Sequence, residues 1–177
     1  MRIPAASILL CLSLPMPAAA EDLVGQAGFV SGDTVTIDRR TVRLYGIDAP
    51  EMDQTCTDAK GKPFNCGHAS MRRLFLYVGA DPLYCTVRRR DPDGAVAATC
   101  RVKSYFRHTE NGATRGEVFD VALEMVLTGH AFADPAEGPD YVAAEAQAKA
   151  RKLGLWAGGF EHPGDWRRKR QQAKDRP

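Results

Sequence analysis

From Leu23 to Ile47 the chain alternates apolar and polar residues in short runs. Leu23–Val30, Val35–Ile37 and Val42–Ile47 read as three strands, with turns at Ser31-Gly32 and Arg39-Arg40. Met52 to Gly67 is polar and broken by Gly61 and Pro63, which predicts a loop. The period then changes. Met71, Leu74, Phe75 and Val78 recur at helical spacing, with Arg72 and Arg73 outside and Gly79 as the stop, so a helix is expected over 69–78. His68 lies at its start, where a surface or capping role is expected. Two more strands follow, about Leu83–Arg90 and Ala95–Val102, joined by Asp91-Pro92-Asp93-Gly94 with Pro and Gly where a type I turn places them.

Beyond the hairpin, Lys103–Glu117 is long and polar, and Asn111-Gly112 signals a tight turn. Tyr105, Phe106, Arg107 and His108 there fit either base stacking or an ordinary half-buried hairpin. Asp120 is placed to cap a helix with Val121, Met125 and Val126 inward and Gly129 at its end. Tyr141–Leu153 is alanine-rich and closes on Arg151, Lys152 and Gly154, as a third helix would. Trp156 and Trp166 are expected to pack the end of the domain. Closely spaced short strands ahead of the helices favour a small barrel over a parallel α/β sheet.

The first twenty residues stand apart. Arg2, the apolar stretch Ile8–Leu14 and Ala18-Ala19-Ala20 before Glu21 form a signal-peptide pattern, interrupted by Pro15 and Pro17, so export to the periplasm or the medium is expected, with no membrane span. Without Cys11, four cysteines remain: Cys56, Cys66, Cys85 and Cys100. An even count in an exported chain points to disulfides. If Pro92 and Asp93 form the hairpin tip, Cys85 faces Cys100 across the ladder, which leaves Cys56 to pair with Cys66. The same register sets Arg90 opposite Ala95.

The formal net charge is only +2, yet it is unevenly spread. Arg167, Arg168, Lys169, Arg170, Lys174 and Arg176 crowd the end against Asp175 alone, so the body is mildly acidic. Residues 167–177 are expected as a basic tail, either a disordered end or a holder of polyanions.

The candidate chemistry lies on the second and third strands. Asp33 in a turn, Arg43 in a strand, then Asp48-Ala49-Pro50-Glu51 gather three carboxylates and one guanidinium. Crowded carboxylates call for a cation, and hard oxygen ligands suit Ca²⁺ or Mg²⁺, whereas a guanidinium fork suits phosphate.

Gly32-Asp33-Thr34 followed by Arg43-Leu44-x-x-Ile47-Asp48-x-Pro50-Glu51 resembles the signature of the thermonuclease, or staphylococcal-nuclease-like, family. The resemblance continues through Tyr141, the third helix and Gly154-Leu155-Trp156. It implies an α+β, mainly β fold: an OB-fold-like five-stranded barrel with about three helices, spanning 21–166. It also implies a Ca²⁺-dependent phosphodiesterase acting as a monomer on DNA or RNA, single-stranded or frayed. In that pattern Asp33 and Asp48 are calcium ligands beside the Ala49 backbone carbonyl, Glu51 orients or deprotonates the attacking water, and Arg43 holds the scissile phosphate. The sequence departs from the family at three places. Ser31 stands where many members carry an aspartate, Asp93 where a tyrosine is usual, and Ala95 where a second phosphate-binding arginine is usual. Arg90, on the neighbouring strand, is the expected surrogate for that arginine. The alternative is a weak or inactive OB-type module that binds nucleic acid or another polyanion.

Overall fold

The computed structural model describes residues 22–104, 107–109, 112–114 and 117–176. Residues 1–21, where a signal peptide is expected, Tyr105, Phe106, Asn111 and Pro177 lie outside them. In chain order the early strands are β1 (Asp22–Gly25), β2 (Gly28–Phe29), β3 (Thr34–Ile37), β4 (Arg40–Leu44), β5 (Ile47–Asp48), β6 (Thr55–Thr57) and β7 (Pro63–Asn65). Helix α1 (Cys66–Val78) separates them from β8 (Leu83–Arg90), β9 (Val96–Ser104), β10 (Arg107–Thr109), β11 (Gly112–Thr114) and β12 (Glu117–Asp120). Helix α2 (Val121–Leu127), β13 (Phe132–Ala133), α3 (Val142–Ala150), a 3₁₀ turn (Gly154–Ala157) and α4 (Pro163–Lys174) complete the fold.

The main sheet runs β1-β8-β9-β4-β3-β2, with β12 also on β9. All its ladders are antiparallel except β4 on β9. Its two outer strands, β1 and β2, are consecutive in the chain, separated only by Gln26 and Ala27. One bent stretch therefore serves both ends of the path, and the sheet curls into a half-barrel of the expected mainly β, OB-fold-like class. Inward-facing positions of the strands and helices meet in one core: Val35, Val42, Leu44, Leu83, Val96 and Val102 from the sheet, Leu74 and Val78 from α1, Val121 and Met125 from α2.

Both cysteine pairs form as expected, Cys56–Cys66 and Cys85–Cys100. The polar stretch after Glu51 is more ordered than its composition suggests, because β6 and β7 pair across the Cys56–Cys66 link. Helix α1 starts earlier than its apolar spacing indicates. Asn65 caps it, its side-chain oxygen accepting the His68 backbone N–H at 2.8 Å. Phe75 faces outward, 49% exposed, with its ring 5.3 Å from that of Phe29. Asp120 caps α2 by accepting the Leu123 N–H at 3.1 Å and takes the Tyr141 hydroxyl at 3.0 Å. Tyr141 is the cover of Gly46, where a φ of 81° and the 2.8 Å that an added Cβ would leave to the Tyr141 ring suit only glycine. That turn leads β4 into β5 and delivers Asp48.

The basic C-terminal segment corrects the expectation most. It is a fourth helix, α4, through Lys174, starting on Pro163 at the first turn, where a fixed φ and a missing N–H cost nothing. The chain before it is anchored in a second apolar cluster. There Phe132 packs against the rings of Trp156, Phe160 and His162, beside Cys56, Cys66 and Leu155. Trp166 carries the Arg170 guanidinium 4.5 Å from its ring centre.

Candidate active site

The predicted carboxylates converge through one close approach, a set of hydrogen bonds and a strand pairing. Gly32 lies against α1, where an added Cβ would come within 1.9 Å of Ser70 Oγ, so the Ser31–Asp33 turn sits flush on the helix. Asp33 is then built into that turn. Its Oδ1 accepts the hydroxyls of Ser31 at 2.7 Å and Thr34 at 2.9 Å, and its Oδ2 accepts the Ala49 N–H at 2.8 Å. The last bond ties the turn to the residue after Asp48. Asp48 itself is fixed by β5, which pairs it with Phe132 of β13.

Glu51 is held through Gln54, which is fully buried. Gln54 Oε1 accepts the Glu51 N–H at 3.2 Å, the Gln54 N–H donates to the Glu51 carbonyl at 2.8 Å, and Gln54 Nε2 donates to the Glu161 carbonyl at 2.7 Å. One amide thus joins the loop carrying Glu51 to the segment leading into α4.

These groups line a cavity of about 410 Å³ together with Arg43, Arg89, Asp134, Glu137 and Arg167. Arg43, from β4, reaches Asp91 at 2.5 Å and Asp93 at 2.7 Å on the β8–β9 hairpin. The bond to Asp93 raises the Arg43 pKa and, with that to Asp91, outweighs desolvation. Arg43 in turn holds the Asp93 carboxyl below its ordinary range. Arg89 binds Asp91 at 2.8 Å and also Glu137, and it lowers the Asp91 pKa most. Asp93 is therefore a partner of Arg43.

Arg90 is not opposite Ala95. A bulge between Val87 and Arg89 shifts the register, so Arg90 pairs with Val96 and Arg89 with Ala97. Cys85 and Cys100, before the bulge, keep the expected pairing. Arg89 is consequently the arginine of this strand that lines the cavity, while Ala95 is buried. Glu137 was absent from the sequence reading because nothing local marks it. It caps the turn after β4 by accepting the Gly46 N–H at 2.6 Å, and its carbonyl accepts the Tyr45 hydroxyl.

Arg167 is the other unexpected member. Its Nη1 donates to Asp48 Oδ1 at 2.8 Å and Glu51 Oε1 at 2.7 Å, and its Nη2 donates to Asp48 Oδ2 at 2.9 Å. The bond to Asp48 is the main cause of a strongly raised Arg167 pKa. The sequence signal was Pro163 followed by residues that favour helices, which the density of positive charge hid.

Among the described residues no three of His, Cys, Asp and Glu are grouped as a metal site. The donor chemistry still fits a hard cation. Asp33 and Asp48 present oxygen alone, and a guanidinium already rests on the oxygens of Asp48 and Glu51 as a stand-in charge. The Ala49 backbone N–H is engaged by Asp33.

A curled mixed sheet with this acidic and cationic cavity at the β3–β5 turns defines a nuclease-like OB domain. The chain belongs to the staphylococcal nuclease homologue family, whose model matches residues 41–158. It is 31% identical over 146 residues to the succinoglycan biosynthesis protein ExoI of Rhizobium meliloti, covering 81% of this chain and 70% of that protein. It is 32% identical over 153 residues to a probable endonuclease LCL3 of Verticillium alfalfae, covering 80% of this chain and 47% of the relative. A probable staphylococcal-like nuclease CAN3 of Oryza sativa is 28% identical over 147 residues, covering 81% of this chain and 33% of the relative. The chain thus spans less than half of the two nuclease relatives.

Proposed function

We propose that the protein is an exported, Ca²⁺-dependent nuclease that hydrolyses phosphodiester bonds of DNA or RNA, with single-stranded or frayed substrate entering as a monomer's open cavity allows. The observation that carries the reading is the meeting of Asp33, Asp48, Glu51 and Arg43 on one cavity wall. The names of the endonuclease-type relatives support the reaction class. The two disulfides support the export expected from residues 1–20. No helix among the described residues is long and apolar enough to cross a membrane.

Asp33 and Asp48, with the Ala49 carbonyl, would hold the cation, which when bound would polarise the phosphodiester and offset its charge. Glu51 accepts a proton from the attacking water as the water oxygen adds in line to phosphorus and the bond to the leaving oxygen breaks. Arg43 gathers the charge that builds on the non-bridging oxygens. Substrate phosphate must compete with Asp91 and Asp93 for that guanidinium, and this competition favours the second reading, a module that binds polyanions with little or no turnover.

Denatured DNA incubated with the purified protein, with Ca²⁺ or with a chelator and beside Glu51→Gln, separates the two. Cleavage lost in both controls is the expected result. Tight binding with no cleavage by the unaltered protein would overturn the nuclease in favour of the binder.

A further inference from the structure

We propose that Arg167 is a substrate-binding arginine of this cavity, delivered by α4 to take a backbone phosphate of the nucleic acid. The inference deepens the nuclease reading and rests on it for the identity of the ligand.

Three features of α4 point this way. First, the helix is not there to fill the core: Pro163 is its only buried residue among those described. Its lateral ties are ionic and exposed, Lys169 to Glu161 at 2.5 Å and Arg170 to Asp53 at 3.1 Å, a class of contact that adds little stability. Second, its root is fixed. The Glu161 carbonyl is tied to buried Gln54, and Phe160 and His162 pack on Phe132, so the helix leaves the body in a set direction. One turn beyond Pro163, that direction brings Arg167 over the cavity.

Third, the guanidinium is not saturated there. Its bonds to Asp48 and Glu51 use both Nη1 hydrogens and one on Nη2, which leaves an Nη2 hydrogen and Nε–H without a partner among the described residues. Its side chain is 49% exposed, so an incoming anion can reach it. The cavity's other lining arginines, Arg43 and Arg89, are already shared with Asp91, Asp93 and Glu137. A divalent cation on Asp48 would compete with the fork for the same oxygens and release more of its donors toward phosphate. Arg167 therefore opposes cation binding and assists nucleic-acid binding.

That opposition supplies the test. The full exported chain, Arg167→Ala, Arg167→Lys and Arg168→Ala are compared in two titrations. One follows a fluorescent phosphorothioate thymidine oligonucleotide by anisotropy in saturating Ca²⁺, and the other follows Ca²⁺ alone by calorimetry. Arg168 is the control because its described partner is Asp165 of the same helix. Arg167→Ala is expected to weaken the oligonucleotide by about tenfold or more, the scale of a lost charge-assisted contact, while binding Ca²⁺ at least as tightly as the parent. Arg167→Lys should recover part of the loss, and Arg168→Ala should stay within about twofold of the parent, as expected for an exposed charge. Unchanged or tighter oligonucleotide binding by Arg167→Ala overturns the proposal, and tighter binding would make Arg167 a blocking group. So would a parent protein that does not bind the oligonucleotide. A parent that binds through Arg167 and never cleaves would sink the nuclease reading and leave this one standing.

Discussion

Gln54 offers the sharpest test of how the cavity is held together. It is fully buried, and its amide bridges the Glu51 N–H and the Glu161 carbonyl. Methionine is close to glutamine in volume, so Gln54→Met removes both bonds and leaves little cavity. Each buried group stripped of its partner costs roughly 1–3 kcal/mol. The Glu51 N–H bond, at 3.2 Å, is the longer of the two, and Glu161 is partly accessible to water, so we place the total at about 2–3 kcal/mol. Urea unfolding should show a lower midpoint at unchanged slope, since the surface exposed on unfolding is nearly the same. For a domain of this size the melting temperature should fall by roughly 5–10 °C. Activity should fall beyond what stability explains, because both Glu51 and the root of α4 lose their tether. A midpoint equal to the parent's, corresponding to a change under about 0.5 kcal/mol, would refute the claim that this amide couples the two segments.

Two other positions give independent checks. Gly32→Ala should press its Cβ on Ser70 Oγ and destabilise the protein by about 1–3 kcal/mol, with partial recovery in the Gly32→Ala/Ser70→Gly double variant, read by thermal unfolding. Burial, aided by the Arg73 charge, lowers the His130 pKa from 6.5 to about 4, so the folded protein keeps this ring neutral where the unfolded chain would protonate it. The associated stability is complete above about pH 6.5 and is lost as pH falls toward 4, and His130→Gln should flatten the unfolding free energy across that window.

What could be read in the sequence was what depends on near neighbours. Asp33, Arg43, Asp48 and Glu51 lie close in the chain, on β3 to β5 and their turns, and the resemblance to the family signature singled them out. The Cys85–Cys100 pairing followed from a turn only a few residues away. The Arg90–Ala95 register failed for a reason of the same scale: a bulge costs one residue of register, and no residue near Val87 announces it. Arg89 therefore takes the inward place. Glu137 and Arg167 are matters of tertiary geometry, since Glu137 lies 91 residues from the Gly46 N–H it accepts and Arg167 lies 119 from Asp48. The composition of 167–177 argued for a loose end, whereas Pro163 and the anchored aromatic rings before it decide for a helix.

The arrangement of β1 and β2 bears on how copies of the protein treat one another. A sheet normally offers its outermost strands as templates for strands from other molecules, the first step toward swapped or fibrillar assemblies. Here those two positions belong to one continuous segment bent at Gln26-Ala27, so a strand from another molecule pairing along one of them would run into the bend that leads to the other. Crowding at high concentration should therefore find few openings along this path.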